Sequence, residues 1–279
     1  MLEYLLFDEL IKTALKEDMP FGDITTDNIV KPGIKARAVL IAKQDMILAG
    51  KDVFERVFKI LDGNAAFSWK AQDGCKVAKG TVFSEFEGDA RALLKGERTA
   101  LNFLQHMSGI ATKTAEFCSV VRDLPVKITD TRKTLPGLRY LEKYAVRMGG
   151  GCNHRFCLSD GVLIKDNHIK AAGGISRAVA VARAAMSHTT KIEVETETLE
   201  QVEEALEAGA DIIMLDNMSL EMMEKAVKLI NGRALTEASG NVHLGTLREV
   251  ALTGVDIISV GELTHSIKAA DISMRFVNS

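Results

Sequence analysis

A chain of 279 residues has room for one large domain or two ordinary ones. With 47% hydrophobic and 26% charged residues it has the composition of a globular protein, and a net charge of −3 argues against a nucleic-acid-binding role. No apolar run reaches the roughly 20 residues that cross a bilayer, and Cys75, Cys118, Cys152 and Cys157 form no CxxC pair, so the expected setting is a reducing cytoplasm.

Residues 1–18 predict an amphipathic helix. Its early acids, Glu3, Asp8 and Glu9, are unlike the basic start of a secretory signal. The segment 20–27 (PFGDITTD) reads as a turn-rich connection, and 34–50 as strands joined by a turn. Helical spacing over 51–61 puts Val53, Val57, Ile60 and Leu61 on one apolar face, and Asp62-Gly63-Asn64 stops it. Short strands broken at Asp73-Gly74 and Lys79-Gly80 fill 66–90, and 91–116 is again helical. The first part is therefore a small α/β domain with mostly antiparallel strands.

The second part repeats. Strand-like runs occur at 126–130, 161–166, 191–195, 211–216, 234–239 and 255–261. Glu195, Asp216, Glu237 and Ser259 follow one another at intervals of 21, 21 and 22 residues, with amphipathic helices between. Thr198 to Gln201 and Thr246 to Glu249 have the form of capping boxes, and Gly209 and Gly254 stand where helices should end. So short a strand–helix period predicts parallel strands, right-handed crossovers and a barrel, of which about six strands are visible.

In such barrels the chemistry sits at the C-terminal strand ends. Here those ends carry Thr131, Arg132 and Lys133, then Lys165, Glu195, Asp216, Glu237 with Ser239, and Gly261. Residues 129–168 hold four Arg and three Lys against three Asp and one Glu, a local +3 in a chain of −3. A charge run is often only a solvated face, but this one alternates with apolar and glycine-rich residues that belong to buried elements. Its Arg forks suit carboxylate or phosphate. Gly149-Gly150-Gly151 allows close backbone approach before Asn153-His154-Arg155. Ser239-Gly240-Asn241 and Gly261-Glu262-Leu263 follow the last two strands, where barrels hold phosphate. One mouth thus has an anion-binding half and a half suited to cations or metal. Arg98 lies outside the repeats, as a surface arginine or as a group reaching across a subunit interface. Cys152, His154 and Cys157 are close in sequence but lack a fourth zinc ligand. Lys165 could instead be a Schiff-base nucleophile of aldolase type, and 66–90 could be a non-catalytic carrier module.

Taken together, GDITT (22–26), ERTALNFLQHMSGIAT (97–112), DTRKTLPGLR (130–139), GGGCNHRFCLSDGVLIKDNHI (149–169), KIEVE (191–195), MLDN (214–217), EASGN (237–241) and VDIISVGELTHS (255–266) are highly specific. The chain resembles the nicotinate-nucleotide pyrophosphorylase (carboxylating), or quinolinate phosphoribosyltransferase, family almost end to end. The nearest rival is a molybdenum-transport-associated relative, against which the full TRK, NHR and IKDNH set argues.

The resemblance implies an N-terminal α/β sandwich domain, assigned to 1–106, and an α/β barrel of fewer than eight strands, assigned to 107–264. A tail, 265–279, would return to the first domain. It implies transfer of the phosphoribosyl group of phosphoribosyl pyrophosphate to quinolinate, giving nicotinate mononucleotide, CO2 and pyrophosphate in NAD biosynthesis. By residue, it assigns quinolinate binding to Arg132, Lys133, His154, Arg155 and Lys165, with Arg98 from a neighbouring subunit and Thr131 beside them. Glu195 and Asp216 would serve the ribose hydroxyls, directly or through Mg2+. Ser239, Gly240, Asn241, Gly261, Glu262 and Leu263 would hold phosphate, and Lys133, Lys165, Glu195 and Asp216 would be the catalytic set. The expected assembly is a homodimer sharing its active sites, with higher association, up to a hexamer of dimers, also known for such a family.

Overall fold

The computed structural model describes residues 2–277, so the first residue of the expected N-terminal helix and the last two of the tail lie outside it. The chain divides into two compact units. One comprises Met1–Ala115, Thr134–Gly150 and Ser266–Ser279; the other comprises Glu116–Lys133 and Gly151–His265.

The first unit is built on a four-stranded antiparallel sheet in the order Ile272–Val277, Lys35–Ala42, Val82–Asp89, Ala66–Trp69. The tail therefore enters this unit as an edge strand, with Ile272 opposite Ala42 and Val277 opposite Arg37. Helix Lys51–Leu61 turns Val53, Phe54, Val57 and Phe58 inward. The buried face is thus rotated from the expected one: Phe54 and Phe58 pack with Phe67 and Phe86 at centroid separations of 5.0–6.3 Å, while Ile60 and Leu61 are only partly covered. Aromatic area outweighs the aliphatic pair.

Two local expectations need correction. The segment read as a turn-rich connection contains a helix, Ile24–Ile29, because the Asp23 carboxylate accepts from the backbone N–H groups of Thr25 and Thr26 and caps it. Thr246 forms no capping box; its hydroxyl is turned to the backbone of His243 instead. Thr198 does cap, accepting from Gln201 N–H, and Gly209 ends that helix with φ +81°.

The second unit is a single parallel sheet. Its strands run in the order Lys127–Thr129, Ile257–Ser259, Leu235–Ser239, Ile212–Asp216, Ile192–Thr196, Val162–Ile164. All six expected strands are present, and the sheet does not close: the first and last are its edges. Cys152 makes one parallel bridge to Thr129, donating its N–H to Ile128 O at 2.8 Å. This is the incomplete barrel that the strand spacing and the resemblance implied. The architecture is α/β throughout, and no described helix is long and apolar enough to cross a membrane.

Candidate active site

Period-two alternation fixes what each barrel strand presents to the interior. In Ile192–Thr196, Glu193 and Glu195 share one face and Val194 the other. In Ile212–Asp216, Ile212, Met214 and Asp216 share a face, as do Leu235, Glu237 and Ser239 in the next strand. The register sets Ser239 beside Asp216, and Met214 beside both Glu195 and Glu237. Two tiers result, one at the C-terminal strand ends and one beneath it.

The upper tier lines a cavity of about 580 Å³. Its walls include Thr131, Arg132, Lys133, His154, Arg155, Lys165, Glu195, Asp216, Ser239, Gly240 and Asn241, completed by Leu163, Met214, Asn217 and Ser259. Eleven of the sequence-predicted residues therefore meet in one place. The cationic and acidic halves touch where Lys165 Nζ is ion-paired with Glu195.

Four residues of the long cation-rich stretch belong to this cavity as cations: Arg132, Lys133, Arg155 and Lys165. Arg139, Lys143 and Arg147 do not. They lie on helix Arg139–Met148 in the first unit, where Glu142 and Lys143 are buried. Glu142 there binds His106 Nε2 at 2.9 Å and accepts from Leu135 N–H. Lys143 is thus internal structure, and none of Arg139, Lys143 and Arg147 lines the cavity.

The loop carrying His154 and Arg155 is set by Asp130, which is fully buried. Its carboxylate accepts from His154 N–H at 2.9 Å and from Asn153 Nδ2 at 2.6 Å. Arg155 donates through Nη1 to Gly161 O at 2.9 Å. Burial, reinforced by the neighbouring Arg132 guanidinium, pushes the Arg155 pKa below its ordinary value. Two cations crowded in partly dry surroundings favour an anion between them. Lys165 N–H donates to His168 Nδ1, which shapes the start of helix Asp166–Ala172.

The other predicted residues fall elsewhere. Gly261 lies against Lys133: a Cβ there would come within 2.9 Å of Lys133 Cδ. Thr264 Oγ1 donates to Lys133 O at 2.7 Å, so this segment braces Lys133 from behind. Leu263 is wholly buried and its N–H is given to Val260 O. Neither Gly261, Glu262 nor Leu263 is among the described residues lining the cavity. Arg98 is exposed on the long helix Ala90–Val120, lining a separate recess of the first unit with Asp18, Asn102 and His106.

Comparison with known proteins identifies the family. A description of the quinolinate phosphoribosyl transferase C-terminal domain matches residues 110–275, and one of its N-terminal domain matches 23–108. A probable nicotinate-nucleotide pyrophosphorylase [carboxylating] of Bacillus subtilis (strain 168) is 46% identical over 273 residues, covering 98% of this chain and 94% of that one. The NadC crystal structure from Streptococcus pyogenes superposes with a TM-score of 0.96 at 45% identity, covering 100% of this chain and 99% of the other. The nicotinate-nucleotide pyrophosphorylase from Francisella tularensis superposes with a TM-score of 0.96 at 40% identity, covering 99% and 98%. The chain belongs to the quinolinate phosphoribosyltransferase family.

Beneath the mouth of this phosphoribosyltransferase lies a tier that strand-end reasoning missed in part. His154 Nε2 stands 3.3 Å from Glu193 and 3.5 Å from Glu237, and both carboxylates are buried. They border a second cavity, of about 330 Å³, whose walls also include His154 and Arg155. Burial and the nearby Glu193 push the Glu237 pKa up to about 7, against a lesser opposing pull from His154. These three form a cluster with metal-ligand spacing, but His154 Nδ1 accepts from Arg155 N–H, which leaves the hydrogen on Nε2 facing the carboxylates. That tautomer is a donor, not a metal ligand. Among the described residues, His154 is grouped with these acids and not with Cys152 or Cys157. Glu193 could have been found from sequence, since it precedes Glu195 by two residues and so shares its face.

Proposed function

We propose that this chain transfers the phosphoribosyl group of phosphoribosyl pyrophosphate to quinolinate with loss of CO2, yielding nicotinate mononucleotide and pyrophosphate. The observation that carries the reading is the division of one mouth into a cationic wall and an acidic wall that meet at Lys165 and Glu195. A dicarboxylate fits the first, and a ribose with its hydroxyls fits the second.

Arg132, Lys133, Arg155 and Lys165 hold the two carboxylates and so orient the pyridine nitrogen, with Thr131 beside them; His154 lines the same wall, its Nε2–H turned to Glu193 and Glu237. Arg98 is supplied by a second copy of the chain in a homodimer, itself able to associate further. Glu195 and Asp216 receive the ribose hydroxyls. Ser239, Gly240 and Asn241 take phosphate oxygens, and the segment from Gly261 to Leu263 supports them through Lys133. The two carboxylates are hard oxygen donors of the kind Mg2+ prefers. Mg2+ held by Glu195 and Asp216 would offset charge on the pyrophosphate.

Breaking the anomeric C–O bond builds oxocarbenium character on the ribose, and the acidic wall stabilises it. The pyridine nitrogen forms the new bond and becomes cationic. The bond from ring C2 to its carboxylate then breaks, CO2 leaves, and the electron pair left at C2 takes up a proton. Clamped carboxylates hold the nitrogen close to the anomeric carbon, so positioning supplies much of the rate. A cytoplasmic setting suits the free cysteines.

The test is direct. Purified chain, quinolinate, phosphoribosyl pyrophosphate and Mg2+ should release CO2 and nicotinate mononucleotide in equal amounts. A protein that binds both substrates and forms neither product sinks the reading. Borohydride trapping of a substrate adduct on Lys165 would support the aldolase alternative instead.

A further inference from the structure

Asn217 lines the mouth but has no part in the chemistry above. It is one of three described non-glycine residues with positive φ, at +54°, and another of the three, Asn241, faces it. Its side chain joins the ends of two neighbouring strands. Nδ2 donates to Asp216 Oδ2 at 2.8 Å, and Oδ1 accepts from Asn241 Nδ2 at 3.1 Å. Its backbone N–H donates to Ser239 O at 2.9 Å. Gly240 leaves room for it: a Cβ there would stand 2.2 Å from Asn217 Oδ1 and 3.0 Å from its nitrogen, and Gly240 itself has φ +92°. Asparagine tolerates the left-handed region better than other side chains, and here it satisfies three partners from it.

We propose that Asn217 is a positioning residue for the phosphoribosyl pyrophosphate half of the site, locking the Asp216 carboxylate to the Ser239–Asn241 loop so that the ribose-binding and phosphate-binding groups keep one spacing. The inference rests on the reading that Asp216 takes ribose and the loop takes phosphate. It adds why the glycine of that loop must lack a side chain: the space is filled by the amide that ties the two groups together. Without the tie, Asp216 is free to choose other rotamers, and the loop loses the side-chain hydrogen bond that links it to the Asp216 strand end.

Asn217→Gly separates side chain from backbone, because glycine keeps positive φ without strain. Calorimetric titration of phosphoribosyl pyrophosphate with Mg2+ should show its dissociation constant raised roughly tenfold or more, the scale of losing two hydrogen bonds, one of them to a charged group. The quinolinate dissociation constant should stay within about twofold, since that anion sits on the opposite wall. A merely structural role would weaken both ligands and lower the melting temperature together. Gly240→Ala should be severe in the wild type and milder when combined with Asn217→Gly, a non-additive pair that reports the shared space. Asn217→Gly with wild-type affinity for phosphoribosyl pyrophosphate overturns the inference, as does equal loss for both ligands. Wild-type chain that binds neither substrate overturns the proposed reaction and this inference with it; wild-type chain that binds both leaves the variant to decide the inference alone.

Discussion

Arg132 and Arg155 show how the site is prepared for its ligand. Burial and, after it, the neighbouring Arg132 guanidinium hold the Arg155 pKa below its ordinary value, so keeping that charge carries a cost in the free protein. A carboxylate placed between them relieves it, so the stabilisation appears on binding rather than in the free protein. Arg132→Ala or Arg155→Ala should therefore weaken quinolinate by about 2–5 kcal/mol, read by equilibrium titration, with little change in thermal stability. Unchanged affinity in both variants would remove them from the site. Glu237 is the opposite case, a carboxyl paid for in folding. Its pKa of about 7 lies above the ordinary 4.5, so between those values the folded chain holds a proton that the unfolded chain has lost. Stability then falls as pH rises through the window, by on the order of 3 kcal/mol once pH exceeds 7. Glu237→Gln mimics the neutral form. It should be more stable than wild type near pH 8 and should flatten the melting-temperature profile between pH 5 and 7. A variant with the wild-type slope would assign that pH dependence to other groups.

Among the elements, the glycine run at 149–151 divides into separate tasks. Gly149 has an ordinary φ of −78°, yet a Cβ there would lie 2.4 Å from Ala111 O and 2.5 Å from Thr114 Cβ. It is required by contact. Gly150 has φ +90° with open space around it, so it is required by conformation. Gly149→Ala should cost about 3 kcal/mol or more because a backbone carbonyl cannot step aside, while Gly150→Ala should cost about 1–2 kcal/mol. Chemical denaturation orders the two, and the reverse order would contradict this account. The same distinction explains which elements were legible in the sequence. The barrel strands were, because each short buried run ends in a polar residue at a regular interval. Helix Arg139–Met148 was not, because its buried Glu142 and Lys143 look like surface charges until their partners are known. Strand Ile272–Val277 pairs with residues more than 200 positions earlier, and no local pattern encodes such a partner. At the mouth, strand ends were legible; in the lower tier the face of Glu193 follows from its spacing to Glu195, but the His154 that meets it does not, because that contact joins a loop to a strand far apart in sequence.

For the whole molecule, the question is whether the proposed site draws Arg98 from another copy of the chain. Arg98 is exposed in the first unit and lines a recess with Asp18, Asn102 and His106, while the other cations assigned to quinolinate line the barrel mouth of the second unit. An arginine fixed on a long helix but left exposed suits delivery to another copy. If it acts in trans, the two kinds of damage can be separated between chains. Arg98→Ala spoils what a subunit donates, and Lys165→Ala spoils what it receives. Each variant alone should be nearly inactive. In a mixed dimer, one of the two sites combines an intact Arg98 with an intact Lys165, and the other carries both losses. Random exchange of equal amounts makes half of the dimers mixed, so activity should recover to roughly a quarter of the wild-type value per site. Subunit exchange is verified independently with differently tagged chains. Proven exchange without recovery would place Arg98 in its own subunit's site or outside catalysis altogether.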